Sequence, residues 1–269
     1  MNHVNDIASN PELLATYQRD GVVCLRGVID NEWLACLSDA TDDAMREPGP
    51  FSEWFGETDP PGFFGDINSW WRIKGFEHFI RQSPVAIICA GIMQSATARF
   101  FYDQLLVKEM GCEDRTPWHQ DQPYWSVCGG QIISIWVPMD PIPEASSLEY
   151  VAGSHRWNEF NPQHFSDASP YAGTHLPALP DIESERDRHN ILRFEMEPGD
   201  ALVFQAMIVH GAPGNRSATY RRRAYSTRWL GDDARFAERQ GEVAMPNFAT
   251  GLADGEPYSG ERFPLIFGA

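Results

Sequence analysis

The stretch Glu197-Pro198-Gly199-Asp200, followed by Ala201-Leu202-Val203-Phe204-Gln205-Ala206-Met207-Ile208-Val209 and closed by His210-Gly211, reads as a tight turn, an apolar strand and a histidine at its end. Proline sets the first turn dihedral, glycine supplies a positive φ, and aspartate bonds back to the local backbone. Working outward, runs of the same character recur at Thr97 to Lys108, Gln131 to Val137, Leu148 to Ala152, Ile191 to Met196 and Arg222 to Leu230, each bounded by Gly, Pro or Asp. Short strands at that spacing predict a mainly β fold with flanking helices, of the double-stranded β-helix or jelly-roll, cupin-like type.

Toward the N-terminus the pattern becomes helix, strand, helix. Pro11 to Gln18 is a helical stretch ended by Gly21, Val22 to Leu25 is strand-like, and Asp30 can cap a helix carrying Trp33, Leu34, Leu37 and Met45. Residues 46 to 71 break this regularity with Pro48, Pro50, Pro60 and Pro61 among Trp54, Phe55, Phe63, Phe64, Trp70 and Trp71. Such aromatics are either packed as core or wrapped around a ligand. Between Trp157 and Asn190 lies a polar stretch of little periodicity, expected as a surface excursion or lid because the strand pattern resumes after it. One domain over 1–269 is expected, with a mainly helical part at 1–95 and a jelly-roll core at 96–269 carrying the 157–190 excursion.

The words richest in chemistry are Thr116-Pro117-Trp118-His119-Gln120-Asp121 and Ile208-Val209-His210-Gly211. In a strand, residues two apart point to the same face, so His119 and Asp121 are expected to present an imidazole and a carboxylate side by side, and His210 from a distant strand completes three ligands. Two histidines and one carboxylate, leaving positions open, is the facial arrangement of non-haem Fe(II) oxygenases. A lone HxD pair is common by chance. Its weight comes from order: HxD early in the strand-rich half, His210 after the turn and strand, then arginines at 221, 222 and 223. A 2-oxo acid that chelates iron needs a cation for its far carboxylate, and a planar guanidinium pairs with it through two parallel hydrogen bonds. On a strand, Arg222, Ala224, Ser226 and Arg228 share one face and Arg223, Tyr225, Thr227 and Trp229 the other. The small side chains beside Arg222 leave room for a ligand, which favours Arg222, with Arg228 as the alternative partner. Arg221 and Arg223 fit a solvated charge run.

Composition narrows the partners. The 269 residues carry 38 acidic and 21 basic side chains, a formal charge of -17, which repels phosphate backbones and anionic headgroups. A small-molecule substrate is expected, without nucleic acid or membrane, on a monomer or homodimer. The five cysteines form no CxxC pair or even framework, as suits reduced thiols in a cytoplasmic protein. No apolar run approaches the roughly 20 residues that span a bilayer, and Met1 to Asp6 lacks the pattern of a secretory signal.

The chain resembles the phytanoyl-CoA dioxygenase family of Fe(II)/2-oxoglutarate oxygenases. The likeness runs from Tyr17-Gln18-Arg19-Asp20-Gly21-Val22-Val23 through Gln104-Leu105-Leu106-Val107-Lys108, Trp118-His119-Gln120-Asp121, Ser134-Ile135-Trp136-Val137-Pro138-Met139-Asp140 and Val151-Ala152-Gly153-Ser154-His155-Arg156 to His210-Gly211 and Arg222-Arg223-Ala224. The resemblance implies His119, Asp121 and His210 as iron ligands, Arg222 as the partner of the distal 2-oxoglutarate carboxylate, and Gln104 and Trp136 as lining of the cosubstrate pocket. His155 falls in the family's GSH motif, either as structural support or in catalysis. Two departures stand out. Ala212 occupies a position where relatives often carry a serine that holds 2-oxoglutarate, and Glu144-Ala145-Ser146-Ser147 replaces a glycine-containing turn.

The implied chemistry is oxidative decarboxylation of 2-oxoglutarate by O2, giving succinate and CO2, coupled to oxidation of a substrate C–H bond. Family halogenases lack the ligating carboxylate, so Asp121 implies hydroxylation or a related oxidation. A cupin-type enzyme of another class, or a non-catalytic sensor on the same fold, would not need cosubstrate turnover. Tyr124, Trp125, Phe63, Phe64 and Arg228 are candidate substrate residues, with Trp54 and Phe55 as further candidates for an aromatic wall, and residues 46 to 71 and 157 to 190 are candidates for lids over it.

Overall fold

The computed structural model describes residues 9–56, 62–165, 167–244 and 250–268. The expectation for the first six residues, and Pro60 and Pro61, fall outside that range. Helix α1 (Pro11–Asp20) starts where the Asn10 side chain accepts from the amides of Glu12 and Leu13, and ends at Gly21, whose φ of 83° lets its amide return to the Tyr17 carbonyl. Strand β1 (Val22–Leu25) follows, then α2 (Asn31–Arg46), capped as the sequence predicts by the Asp30 carboxylate on the Trp33 amide.

Residues 46 to 71 are more regular than expected. They contain β2 (Ser52–Phe55) and β3 (Phe63–Ile67), paired antiparallel. Two further helices, α3 (Lys74–Gln82) and α4 (Val85–Met93), complete the helical layer. Then come β4 (Ala98–Lys108), β5 (Thr116–His119), β6 (Val127–Cys128), β7 (Ile132–Pro138), β8 (Glu149–Val151), β9 (Ile191–Leu192), β10 (Ala201–Gln205), β11 (His210–Ala212), β12 (Arg222–Leu230), β13 (Arg235–Phe236) and β14 (Leu265–Phe267).

The large sheet runs β1-β10-β7-β12-β4-β3-β2, with β14 also on β4, and the small sheet runs β5-β11-β8-β9. This is the expected jelly roll. Strands from the N-terminal third therefore complete the large sheet at both ends: β1 is the strand read at Val22 to Leu25, whereas β2 and β3 lie in a stretch expected to be irregular.

Alternation decides what each face of the large sheet does. Leu105, Val107, Ile133, Ile135, Val137, Val203, Tyr225 and Trp229 face the helices, packed with Leu37, Phe76, Phe79, Ile80 and Ile88. Their neighbours Trp136, Leu202, Phe204 and Ala224 face inward and meet Tyr150 and Ala212 of the small sheet. Between the sheets lies the space that holds the site.

Two strands are shorter than the sequence predicts. The run from Ala201 to Val209 leaves the large sheet after Gln205, where the Ile208 amide closes a turn on the Gln205 carbonyl and the Gln205 side chain accepts from the Met207 amide. His210 consequently opens β11 in the other sheet. The run from Ile191 to Met196 pairs only over β9 and by a bridge from Met196 to Ile142, because the Phe194 amide turns to the Ser147 hydroxyl.

The Glu197 to Asp200 turn pins β10 to the N-terminal segment. The Asp200 carboxylate accepts from the Gly27 and Glu197 amides and from Arg26, and a side chain at Gly199, whose φ is 104°, would meet the Ile29 carbonyl. His155 plays an analogous supporting part. It packs on Gly21 while Arg156 donates to the carbonyls of Gln18 and Arg19, so the GSH motif fastens the small sheet to the end of α1, and His155 does not line the cavity.

Candidate metal centre

His119 is the last residue of β5 and His210 the first of β11, and the antiparallel register sets them opposite one another, with ring centroids 4.2 Å apart. Asp121 is not on the strand, contrary to the strand-face expectation. The chain turns after His119 into a short 3-10 helix over Gln122–Tyr124, and the Ala206 carbonyl accepts from the amides of both Asp121 and Gln122. The turn still brings the carboxylate alongside: Asp121 Oδ1 lies 3.4 Å from His119 Nε2 and 3.9 Å from His210 Nε2. One donor atom from each residue lies within 4.8 Å of the other two, and all three side chains are buried.

The hydrogen bonds around this trio fit a metal. His119 Nδ1 lies 2.8 Å from the Pro117 carbonyl and His210 Nδ1 3.0 Å from that of Ile208. A carbonyl can only accept, so both imidazoles carry their proton on Nδ1 and present a bare Nε2 toward Asp121. Burial, then the neighbouring His119, push the His210 imidazole down to about 4, which keeps it neutral and ready to ligate. Burial alone would raise the Asp121 carboxyl, but its closeness to the His119 and His210 rings and to Arg228 outweighs this and holds the group below the usual carboxylate range. Ser134 Oγ donates to Asp121 Oδ2 at 3.2 Å, and the Tyr150 ring stacks on His210 with centroids 5.7 Å apart. The donor set of two imidazoles and one carboxylate suits a divalent transition metal with further positions left open.

These residues open onto a cavity of about 280 Å³. Of the residues singled out in the sequence, Arg222, Gln104, Trp136, Tyr124, Trp125, Phe63 and Arg228 line it together with the trio, as does Phe55. Phe64 does not. Period-two alternation turns it outward into the core beneath the helices, where the half-exposed Trp54 covers it with ring centroids 5.0 Å apart. The proposed aromatic wall therefore splits, with Phe55 and Phe63 on the cavity and Trp54 and Phe64 away from it. Arg221 is exposed and paired with Glu109 at 2.8 Å, while Arg223 grips Asp140 through two nitrogens on the outer face.

Arg222 is buried, and its one hydrogen bond in the described structure goes to the Ser146 carbonyl, from the turn that replaces the family's glycine-containing one. No carboxylate of the described residues pairs with it. Burial pushes the guanidinium down to about 10, the mark of a charge taken from water without compensation.

Sequence reasoning missed Lys108 at the same end. Its ammonium donates to the Asp114 carbonyl at 2.6 Å, to that of Pro213 and to Thr116 Oγ1, and burial followed by the charge of Arg222 holds its pKa well below the usual value. The signal was available: Lys108 stands four residues from Gln104, hence on the same strand face. Tyr102 shares that face. Phe165 and Tyr171, from the 157–190 excursion, also line the cavity, and no periodicity marked them.

Comparison with known proteins agrees with this geometry. The phytanoyl-CoA dioxygenase (PhyH) family model matches residues 17–224. The multifunctional dioxygenase prhA of Penicillium brasilianum is 26% identical over 239 residues, covering 81% of this chain and 71% of the relative. Among solved structures, the non-heme alpha ketoglutarate dependent carbocyclase SnoK from nogalamycin biosynthesis superposes with a TM-score of 0.75 at 18% identity, over 96% of this chain and 98% of the other. EctD from S. alaskensis with 2-oxoglutarate and 5-hydroxyectoine superposes with a TM-score of 0.69 at 20% identity, over 94% and 86%. At these identities the two structures speak to the fold.

Proposed function

This chain belongs to the phytanoyl-CoA dioxygenase family and is an Fe(II)- and 2-oxoglutarate-dependent dioxygenase, and we propose that His119, Asp121 and His210 hold its iron while Arg222 receives the far carboxylate of the cosubstrate. The observation that carries the assignment is the buried, carboxylate-free guanidinium of Arg222 on the same cavity as the trio. A cupin-type enzyme without a cosubstrate would need that charge only for an anionic substrate.

Iron, 2-oxoglutarate and O2 together supply an oxidant for an unactivated C–H bond, with release of succinate and CO2. The chain's own part is positional. Lys108 braces the Arg222 end through its hydrogen bonds to the Asp114 and Pro213 carbonyls and to Thr116 Oγ1. Thr116, the strand partner of Ala212, offers there the hydroxyl that position 212 lacks. Gln104 and Trp136 form the wall between that end and the metal, and Ser134 orients Asp121 through its hydrogen bond. Tyr124 joins the centre to the 157–190 excursion, its hydroxyl donating to the Gln163 carbonyl at 2.7 Å. That excursion, with Phe165 and Tyr171 on the cavity, acts as a lid that keeps water from the reaction.

The substrate is a small molecule that meets Phe63, Tyr124, Trp125 and Arg228. The net charge of -17 argues against nucleic acid and anionic membranes as partners, and no helix of the described residues is long and apolar enough to cross a membrane. We read the chain as one domain, a monomer or homodimer, in the cytoplasm. Anaerobic titration with Fe(II) and then 2-oxoglutarate tests the central assignment. A weak visible charge-transfer band should appear in the wild type and vanish in His210→Ala. A band that persists in that variant would overturn it.

A further inference from the structure

Resting on that reading, the cavity has one cation more than the cosubstrate can use. Arg222 and Arg228 share a face of β12, and at ~3.3 Å per residue their Cα atoms lie roughly 20 Å apart, far more than the span of a five-carbon diacid. Their surroundings mark two separate ends. In the register of β12 on β4, Arg222 sits opposite Lys108 and Arg228 opposite Tyr102.

Arg228 is 5% exposed, and its partners are neutral. Nη2 donates to Gln104 Oε1 at 2.8 Å and Nη1 to the Ser226 carbonyl at 3.3 Å. The guanidinium carbon lies 4.7 Å from the centre of the Tyr102 ring and 6.0 Å from that of Trp125. Nε is buried with no partner among the described residues. The carboxylate whose charge Arg228 feels, Asp121, is committed to the metal. A buried guanidinium whose hydrogen-bond partners among the described residues are only a carbonyl and an amide, on the wall of an open cavity, is a site awaiting an oxyanion. Gln104 strengthens this, because with its oxygen engaged by Arg228 its amide nitrogen remains a donor on the same wall.

We infer that the molecule oxidised here carries a carboxylate, bound by Arg228 with Gln104 as the second donor, on an apolar body lying against Tyr102, Trp125, Phe165 and Tyr171. Cationic substrates are disfavoured by the guanidinium. Neutral substrates leave its buried charge without a counter-ion, a loss that polar sites discriminate against strongly.

The test uses the full chain loaded anaerobically with Fe(II) and 2-oxoglutarate, and follows the visible band as probes are added. The probes are phenylacetate, 3-phenylpropionate and indole-3-acetate, each against its primary amide. At least one acid should perturb the band, and its amide should bind more than ten-fold more weakly. Arg228→Gln should weaken that acid at least thirty-fold while the 2-oxoglutarate midpoint stays where it was, which also reports that the variant is folded. Arg228→Lys should keep the preference for acid over amide at reduced affinity. Amides that bind as well as acids, acids that all fail to bind, or an Arg228→Gln variant whose defect lies in 2-oxoglutarate binding would each overturn the inference and leave the iron assignment standing. Failure of the band to form in the wild type would bring down the iron assignment first and this inference with it.

Discussion

The two faces of β12 are equally buried and chemically opposite. Outward, the Tyr225 ring stacks on Phe76 with centroids 4.1 Å apart, its hydroxyl donates to Asp103 Oδ2 at 2.8 Å, and Trp229 packs edge-on to Phe100 while its indole N–H finds Thr227 Oγ1 at 2.9 Å. Inward, Arg222 and Arg228 find backbone carbonyls and an amide, and Ser226 Oγ and Arg228 Nε find nothing among the described residues. Burial therefore does not distinguish the ligand face from the structural one. Polar satisfaction does, since a folded protein leaves buried donors unmet mainly where something else will meet them. If this division is right, outward substitutions should act on stability and inward ones on ligands.

The largest effect belongs to the inward side. His210→Ala removes one of three metal donors and should abolish turnover, with iron affinity reduced about ten-fold to a hundred-fold by equilibrium dialysis. Full activity in that variant would break the assignment at its root.

Trp229→Ala tests the outward side. Deleting a fully buried indole should cost about 3–5 kcal/mol in urea unfolding, while the 2-oxoglutarate midpoint of the folded fraction stays unchanged. A shifted midpoint would show that the faces are coupled through the strand.

Arg222→Ala should do the reverse. Removing one side of a buried carboxylate pair costs about 2–5 kcal/mol, so the 2-oxoglutarate midpoint should rise by a factor of about thirty or more, with little change in urea unfolding. Arg221→Ala, at an exposed pair with Glu109, should leave both unchanged. A cosubstrate defect in Arg228→Ala and none in Arg222→Ala would exchange the two ends of the cavity.

How legible this was in the sequence follows from where local pattern controls geometry. The faces of β12 and β4 could be read directly, because side-chain alternation survives folding unchanged, and it also separates Phe63 from Phe64 once β3 is recognised as a strand. The HxD pair was legible as chemistry and misread as geometry: His119 and Asp121 come together through a turn fixed by the Ala206 carbonyl, a contact 85 residues away in sequence. The same holds at Gln205, where a side-chain bond to the Met207 amide breaks an apolar run into two strands in two sheets. Phe165 and Tyr171 could not be found at all, since their segment has no period and reaches the cavity by tertiary contact alone.

The smallest predicted effect concerns a titratable flaw on the outward side. Asp103 lies beneath the helices with Oδ2 accepting from Ser69 Oγ, the Trp70 amide and the Tyr225 hydroxyl, while Oδ1 has no partner among the described residues. Burial raises its carboxyl to about 6, and the hydrogen bonds from Ser69 and Tyr225 only partly offset this. In the unfolded chain it ionises near 3.8, so the folded state holds the proton more tightly. This contribution is therefore fully present below that pH, is lost as pH rises through the window up to about 6, and stays lost above it. An asparagine side chain in its place would mimic the protonated group at every pH, keeping an oxygen for the three donors. At about 1.4 kcal/mol per pKa unit, Asp103→Asn should stabilise the protein by about 1–3 kcal/mol at pH 7.5, and by less at pH 5, in urea unfolding, with the 2-oxoglutarate midpoint untouched. A variant less stable than wild type at pH 7.5 would mean that the ionised carboxylate is what Ser69, Trp70 and Tyr225 require, and that the outward face is electrostatically complete.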